Sequence, residues 1–289
     1  METQEELRPY LFAIAYRMLG SVADAEDVVQ ETFLRYQAAG VEPESPKAYL
    51  ATITTRLAID QLRSARSQRE VYPGEWLPEP LAEEDAAQHA EMADSLSLSF
   101  LHLLEKLSPV ERAVFLLREV FDYPHEDVAR IVGKSPANSR QILARARTHM
   151  DEGRRRFEVS RAESEVVARR FIEAWETGDT DRLVAVLAPD ATVYGDGGGK
   201  APSIPEPLIG ALRVAKALIG WRQMAIERGV TYRAATVNGE PGVVYYWPDG
   251  SVAGVQELEI AEGVVVAVRA VLNPDKLAHL AAGSRLSTD

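Results

Sequence analysis

From Ser21 the chain reads SVADAEDVVQETFLRYQ, with Ser21 and Asp24 as helix starters. Val28, Val29, Phe33 and Tyr36 follow at the spacing of one apolar helix face. After the loop AAGVEPESP, Ser45 caps and Pro46 opens another helix. On it Tyr49, Ile53 and Leu57 share one face, while Arg56, Asp60, Arg63 and Arg66 recur at three-and-four spacing on another. The first face is expected to pack and the second to meet a partner. The stretch EVYPGEWLPEPLAEEDAAQHAEMADS breaks this pattern: rich in proline and acid, it reads as a linker, extended around Pro78 and Pro80. Trp76 and Leu77 are large apolar groups of a kind that linkers usually shed. Helical patterning resumes at SPVE, where Ser108 caps, Pro109 suits the first turn and Glu111 completes a capping box. Val128, Ala129, Ile131 and Val132 then mark a short helix stopped by Gly133. Ser135 and Pro136 start a basic helix within three residues, which makes a helix-turn-helix pattern. Ile142, Leu143 and Ala146 lie toward its first helix.

Beyond about residue 162 the periodicity changes. SEVVARRFIEAWETGD and DRLVAVL predict two helices, ATVYGD a short strand, and a helix follows over roughly 209–228. Four strands come next, in VTYRAATVNG, GVVYYWPDG, SVAGVQELEIAEG and VVVAVRAVLN, separated by Asn-Gly, Pro-Asp-Gly and Glu-Gly turns. The order fits an α+β cone, a helix-lined, long antiparallel sheet around an internal pocket. The expected organisation is therefore multidomain: two all-α helical domains at 1–70 and 96–158, a linker at 71–95, and the α+β cone at 162–289.

Composition narrows the function. The 289 residues contain no cysteine, which removes disulfides, thiol catalysis and cysteine-ligated zinc. His89, His102, His125, His149 and His279 are scattered without metal-ligand spacing, and no cofactor is expected. No apolar run approaches a membrane span, and METQEELRPY lacks the regions of a signal peptide, so a cytoplasmic protein is expected. The net charge of −12 argues against a protein that coats nucleic acid indiscriminately. Yet basic residues concentrate at 56–69 and 134–161, two islands suited to DNA. In the helix after Gly133, Asn138, Gln141 and Arg145 share a face, and these residue types pair with base edges. Arg140 and Arg147 flank them at positions suited to phosphates.

The loop YGDGGGK, 194–200, looks at first like a phosphate cradle. A P-loop needs its glycines five apart and Lys followed by Ser or Thr at a helix start. Here Gly195 and Gly199 are four apart, and Ala201 and Pro202 follow Lys200, so the reading fails. Asp196 is a conceivable general base, with Trp175, Trp221, Tyr245 and Trp247 as pocket walls, but no His–Asp pair or second carboxylate is readable beside it.

DAEDVVQETFLR, AYLATITTRLAIDQLRS, LSPVERAVFLLREVFDYPHEDVARIVG and SRQILARAR follow one another like the conserved regions of bacterial extracytoplasmic-function (ECF) sigma factors of the sigma-70 family. The resemblance covers about residues 5–155. The third segment resembles the SnoaL-like members of the NTF2-like superfamily. The combination is similar to the sigma-factor group with such an extension, in which WLPEP, DGGGK and NPDKL look like signature stretches. This implies that Asp24, Glu26, Asp27, Gln30, Glu31 and Arg35 face core RNA polymerase. It implies that Arg56, Asp60, Arg63 and Arg66 read the promoter −10 element. Ser135, Asn138, Arg140, Gln141, Arg145 and Arg147 would read the −35 element. Ile142 stands where the family often has a basic residue.

For the loop 194–200 the expected role is regulatory, not enzymatic. Asp196, Gly197, Gly198, Gly199 and Lys200, with Asn273, Pro274, Asp275, Lys276 and Leu277, are expected to dock on Trp76, Leu77, Pro78, Glu79 and Pro80 of the linker. Tethering makes even a weak contact effective. A glycine loop that merely turns, and a SnoaL-like enzyme or ligand sensor fused to a DNA-binding module, are the alternatives. The expected partners are core RNA polymerase and promoter DNA, without a membrane; a small ligand in the cone stays open.

Overall fold

The structure, a computed structural model, describes residues 4–69, 71–81, 96–154 and 161–282. They form two compact units. The first holds 4–69, 71, 96 and 100–154; the second holds 72–81, 97–99 and 161–282. The linker segment 72–81 thus belongs with the α+β unit, while the rest of the expected linker, 82–95, lies outside the described residues.

The first unit is built from α1 (Gln4–Leu19), α2 (Val22–Ala39), α3 (Pro46–Arg69), α4 (Leu98–Leu104) without its first two residues, which belong to the second unit, α5 (Pro109–Phe115), α6 (His125–Ile131) and α7 (Pro136–Arg154). Ser21 caps α2 by accepting from the Asp24 N–H at 3.2 Å, and Gly40 ends it at φ +57°. The capping box of Ser108 and Glu111 is present, and α5 runs on into a π-helical turn, Leu116–Val120. On α3 the buried stripe is Leu50, Ala51, Thr54, Thr55, Ala58, Ile59 and Leu62, whereas Tyr49, Ile53 and Leu57 are only half-buried. The expected packing face is therefore rotated. Small residues let α3 approach closely, and the Thr32 and Thr54 hydroxyls satisfy each other at 3.0 Å, so a partly polar stripe can be buried.

Arginines hold this unit together from within. Arg112 of α5, 1 % exposed, donates from Nε to the Arg17 carbonyl of α1 (3.1 Å) and pairs with Glu105 (2.5 Å). Arg17 itself is fully buried 5.7 Å from the Phe121 ring centroid, and burial pulls its guanidinium down to about 10. Tyr10 and Tyr123 share a hydrogen bond of 2.8 Å. Helices from residues 4–69 and from 100–154 are thus packed as one body.

In the second unit, β1 (Leu187–Asp196), β2 (Leu208–Ile209), β3 (Thr231–Val237), β4 (Glu240–Tyr246), β5 (Val252–Ala261) and β6 (Val264–Val271) form one sheet in the order β2-β1-β6-β5-β4-β3. The turns at Asn238-Gly239, 248–250 and Glu262-Gly263 fall where the sequence puts them. The sheet is mixed, not antiparallel throughout: β6 returns beside β1 in parallel, because the chain between them crosses through a helix and four strands. Helices α8 (Arg161–Thr177), α9 (Thr180–Val186) and α10 (Ala211–Glu227) cover the inner face, with Phe171, Trp175, Leu183, Val193, Leu218, Leu258 and Val268 in the core. The outer face carries Val237, Val244, Val255 and Val271, and these are covered by Leu77 and Leu98 together with Leu277 and Leu280. Leu277 ends α11 (Pro274–Leu277), and Leu280 sits in the 3₁₀ turn after it. A sheet apolar on both faces explains the run VVVAVRAV in β6, broken only by Arg269, which pairs with Glu259 at 2.7 Å.

Replacing Arg112 by Met would leave the Glu105 carboxylate and the Arg17 carbonyl without their donor. The expected cost is about 3–5 kcal/mol of first-unit stability, read as a lower urea midpoint against the parent chain.

Candidate functional site

Strand β1 alternates its side chains: Val193 and Gly195 face inward, while Tyr194 and Asp196 face outward. Asp196 ends the strand fully buried. Its carboxylate accepts from the Tyr72 hydroxyl (2.6 Å), the Leu77 N–H (2.8 Å) and Lys276 Nζ (2.6 Å). Lys276 also donates to the Leu77 carbonyl and stands 4.0 Å from the centroid of the Trp76 ring. Asn273 caps α11 by accepting from the Asp275 N–H, and its Nδ2 donates to the Tyr72 hydroxyl at 2.9 Å. Burial and the bond to Asp196 push the Tyr72 phenol above its ordinary value, so it remains a protonated donor.

The glycine loop makes this approach possible. Gly198 (φ +57°) and Gly199 (φ +70°) adopt backbone that L side chains disfavour. A Cβ on Gly198 would collide with the Asn273 amide, and one on Gly199 would lie 2.8 Å from Pro73 Cγ. Trp76, Leu77, Pro78, Glu79 and Pro80 all run along this surface, with Leu77, Pro78 and Pro80 buried and His279 donating to the Pro80 carbonyl at 2.7 Å. The structure brings together Asp196, Gly198, Asn273, Lys276 and Leu277 with the linker. Lys200 is placed differently: exposed, it pairs with Asp275. Lys276 is the lysine that reaches the linker, because α11 turns its side chain inward beside Asp196.

Two further anchors escaped the sequence reading. Asn238, in the turn after β3, accepts from the Leu81 N–H at 2.7 Å. Glu257 on β5, fully buried, accepts from the Leu98 N–H (2.5 Å) and the Ser99 N–H (3.0 Å) at the start of α4. Burial pushes the Glu257 carboxyl up to about 8, against the pull of Arg269 at 3.9 Å. Asn238 was legible only as turn chemistry and Glu257 only as an alternating strand residue. Nothing local marks either as a docking point.

In the first unit the residues expected to meet core polymerase line the open side of α2. Asp27, Gln30 and Arg35 are exposed, and Asp24, Glu26 and Glu31 are half-exposed. Glu26 pairs with Arg8 and Glu31 with Arg35 (2.7 Å). In α7, Ser135, Asn138, Arg140, Gln141, Arg145 and Arg147 are all exposed. Arg147 pairs with Glu119 at 2.8 Å, a surface contact easily exchanged for a phosphate. Ile142 is 5 % exposed and packs in the core beside Leu143 and Ala146, which accounts for its apolar character. On α3, Asp60 and Arg63 form an exposed pair at 3.0 Å, and the side chain of Arg66 lies outside the described residues. Arg56 is occupied, contrary to the expectation of a face left open: Nε donates to the Ile131 carbonyl (2.9 Å) and Nη2 to that of Arg130 (3.0 Å). The C-terminal carbonyls of α6 lack helical partners and draw in a cation.

Inside the cone lies a cavity of about 300 Å³ whose walls include Trp175, Trp221, Tyr245 and Trp247. Asp196 does not reach it, since it points to the opposite face of the sheet. The lining residues include no carboxylate and no histidine, so the arrangement provides no general base of the kind considered from the sequence.

Residues 4–68 match the family model of sigma-70 region 2, residues 97–150 that of sigma-70 region 4, and residues 168–272 that of the SnoaL-like domain. The ECF RNA polymerase sigma factor SigJ of Mycobacterium tuberculosis is 35% identical, over 94% of this chain and 91% of that one. The probable ECF RNA polymerase sigma factor SigI of the same species is 32% identical over 95% and 93%. The crystal structure of M. tuberculosis SigJ superposes with a TM-score of 0.78 at 32% identity, covering 98% of each chain. Among the described residues no helix is long and apolar enough to cross a membrane. With both sigma regions in order and a SnoaL-like domain behind them, the chain belongs to the ECF sigma factors of RNA polymerase.

Proposed function

We propose that this sigma factor, which directs core RNA polymerase to promoter DNA, is regulated in cis by its SnoaL-like domain, and that the regulatory contact is the linker seated on the outer face of the sheet. The observation that carries this reading is the buried Asp196, whose hydrogen-bond partners include two groups of the linker and Lys276 of NPDKL. In the chain the linker follows region 2 and precedes region 4, and the second unit also holds Leu98 and Ser99 at the start of region 4 through Glu257. Holding both ends limits how far the two promoter-reading modules can separate. The domain boundaries are accordingly region 2 to about 70, region 4 from 96 and the SnoaL-like domain from 162, with 72–81 acting as a bound peptide.

The DNA-facing roles fit the same reading. Exposed Asn138, Gln141 and Arg145 have the base-pairing chemistry for a −35 element, and the open side of α2 suits core polymerase. Arg56 cannot serve the −10 element while its guanidinium is bonded to α6, so reading both elements requires α3 and α6 to part. The protein acts where the polymerase is, in the cytoplasm. An enzyme reading would need an acid or base in the cavity, and the cavity lining includes neither a carboxylate nor a histidine.

The test is multi-round transcription with purified core polymerase on the region upstream of the protein's own gene. Leu77→Asp places an unpaired charge in the outer-face cluster at a cost of about 3–5 kcal/mol, enough to unseat the linker, and should change core-dependent transcript at least about tenfold. Unchanged transcript from a folded variant that binds core overturns cis regulation. Lys276→Met leaves the Asp196 charge buried without its cation, weakening the docked linker by about 3–5 kcal/mol. Faster cleavage by a glutamyl endopeptidase after Glu75 would report it.

The Glu257 anchor makes stability depend on pH. Its carboxyl is raised from 4.5 to about 8 in the folded protein, so the native state holds that proton more tightly than the unfolded chain. Its contribution is full below the lower value and is lost as pH rises through the upper one. Thermal midpoints measured across this window should fall with pH in the parent chain and fall less in Glu257→Gln.

A further inference from the structure

Three arginines of α7 each meet a carboxylate from a different part of the first unit, and the atoms that meet differ. Arg147 Nη2 lies 2.8 Å from Glu119 in the π-helical turn, and Arg140 Nη2 lies 3.5 Å from Glu126 on α6. Both pairs occupy the tip of the guanidinium, so a phosphate takes up these arginines only by displacing a carboxylate. Arg145 is held the other way. Its Nε faces Glu111 Oε1 on α5 at 3.8 Å, a contact that spares the two Nη groups at the tip. At about 100° per residue, Asn138, Gln141 and Arg145 fall within about 60° of one another, with Arg140 and Arg147 on the other flank of the exposed face.

Glu111 is the best fixed of the three carboxylates. Its side chain is 16 % exposed, against 25 % for Glu119 and 68 % for Glu126. Its Oε2 accepts from the Ser108 N–H (3.0 Å) and the Ser108 hydroxyl (2.6 Å), so the capping box anchors one oxygen and presents the other to Arg145. Burial by itself would raise this carboxyl, but the Ser108 bonds and the charges of Arg145 and His149 hold it below its ordinary value. It therefore stays ionised. A long exposed side chain loses rotamer freedom when it bonds a base, and a fixed carboxylate behind it makes part of that loss before DNA arrives.

We propose that Glu111 is a positioning residue for base reading: the capping box of α5 holds Arg145 by its Nε and aims the Nη fork at a guanine edge in the major groove. The inference rests on the −35 reading of α7 given above. Bidentate recognition of guanine O6 and N7 needs two parallel N–H donors, and Nη1 with Nη2 supplies them while Nε stays with the carboxylate. Glu119 and Glu126 act in the opposite sense. They compete with phosphates for Arg147 and Arg140, and so lower affinity for DNA of any sequence. Each glutamate offsets the charge of one arginine, but Glu111 does so without blocking the end that reads.

The test uses the full chain assembled with core RNA polymerase and a pool of duplexes randomised over the −35 stretch, with the bound DNA sequenced. The parent chain should enrich a guanine at one position, and Arg145→Ala should erase that preference. Glu111→Gln keeps the capping box, which accepts glutamine as well as glutamate, but removes the charge. It should reduce the guanine preference at that same position about three- to tenfold, the worth of pre-ordering one long side chain, and leave the other positions as they are. Glu111→Asp, which keeps the charge but withdraws it by one methylene, should show a smaller loss at that position. Binding of Glu111→Gln to a duplex of unrelated sequence should not change, whereas Glu119→Gln should strengthen it about twofold or more. Ser108→Ala loses the cap yet keeps the carboxylate, so it should lower the thermal midpoint without erasing the guanine preference. If folded Glu111→Gln keeps the full preference that Arg145→Ala erases, the positioning role is overturned and the reading by α7 stands. If Arg145→Ala changes nothing, base reading by Arg145 falls and the positioning falls with it. A loss spread evenly over all positions, or matched by Ser108→Ala, reduces Glu111 to a helix cap and overturns the proposal as well.

Discussion

A carboxylate taken wholly out of water must recover its hydrogen bonds from protein groups, and around Asp196 those groups come from two parts of the chain far from it in sequence. Tyr72 and the Leu77 N–H arrive from the linker, and Lys276 from the helix after the last strand. Neither the linker nor α11 could hold its place there without the other, since removing either leaves a buried charge short of partners. The glycine loop, the short helix capped by Asn273 and the proline-fixed linker are arranged so that this one charge is satisfied.

Around that point the outer face of the sheet works as a hydrophobic seat. Its valines would be exposed in a cone open to water, and Leu77, Leu98, Leu277 and Leu280 bury them. The linker is therefore a structural part of the second unit as much as a tether between DNA-reading modules. The first unit shows the same economy of parts: Arg56, whose chemistry suits nucleic acid, bonds helix-end carbonyls, and Arg112 ties α5 to α1.

The inner face of that sheet adds a second use of the same strands. Period-two alternation sends Gln256 to the cavity and Glu257 to the N-terminus of α4, Gly195 to the cavity and Asp196 to the linker. A wall shared in this way has an apolar chamber on one face and the seated linker on the other.

The sequence by itself determined the order of elements, the helix caps at Ser21 and Ser108, the stop at Gly133 and the three turns of the sheet, because these depend on residues within a few positions of each other. It also carried the family, through four ordered stretches, and paired WLPEP with DGGGK and NPDKL as a docking set. Only the tertiary structure decided that Lys276 and not Lys200 meets the linker, that Asp196 points away from the aromatic cavity, that β1 runs parallel to β6 and that the face of α3 is rotated. Tyr72, Asn238 and Glu257 belong to the same group. Each depends on which groups far apart in sequence share a buried space, and burial turns an ordinary turn residue or strand glutamate into an anchor by removing the water that would otherwise satisfy it.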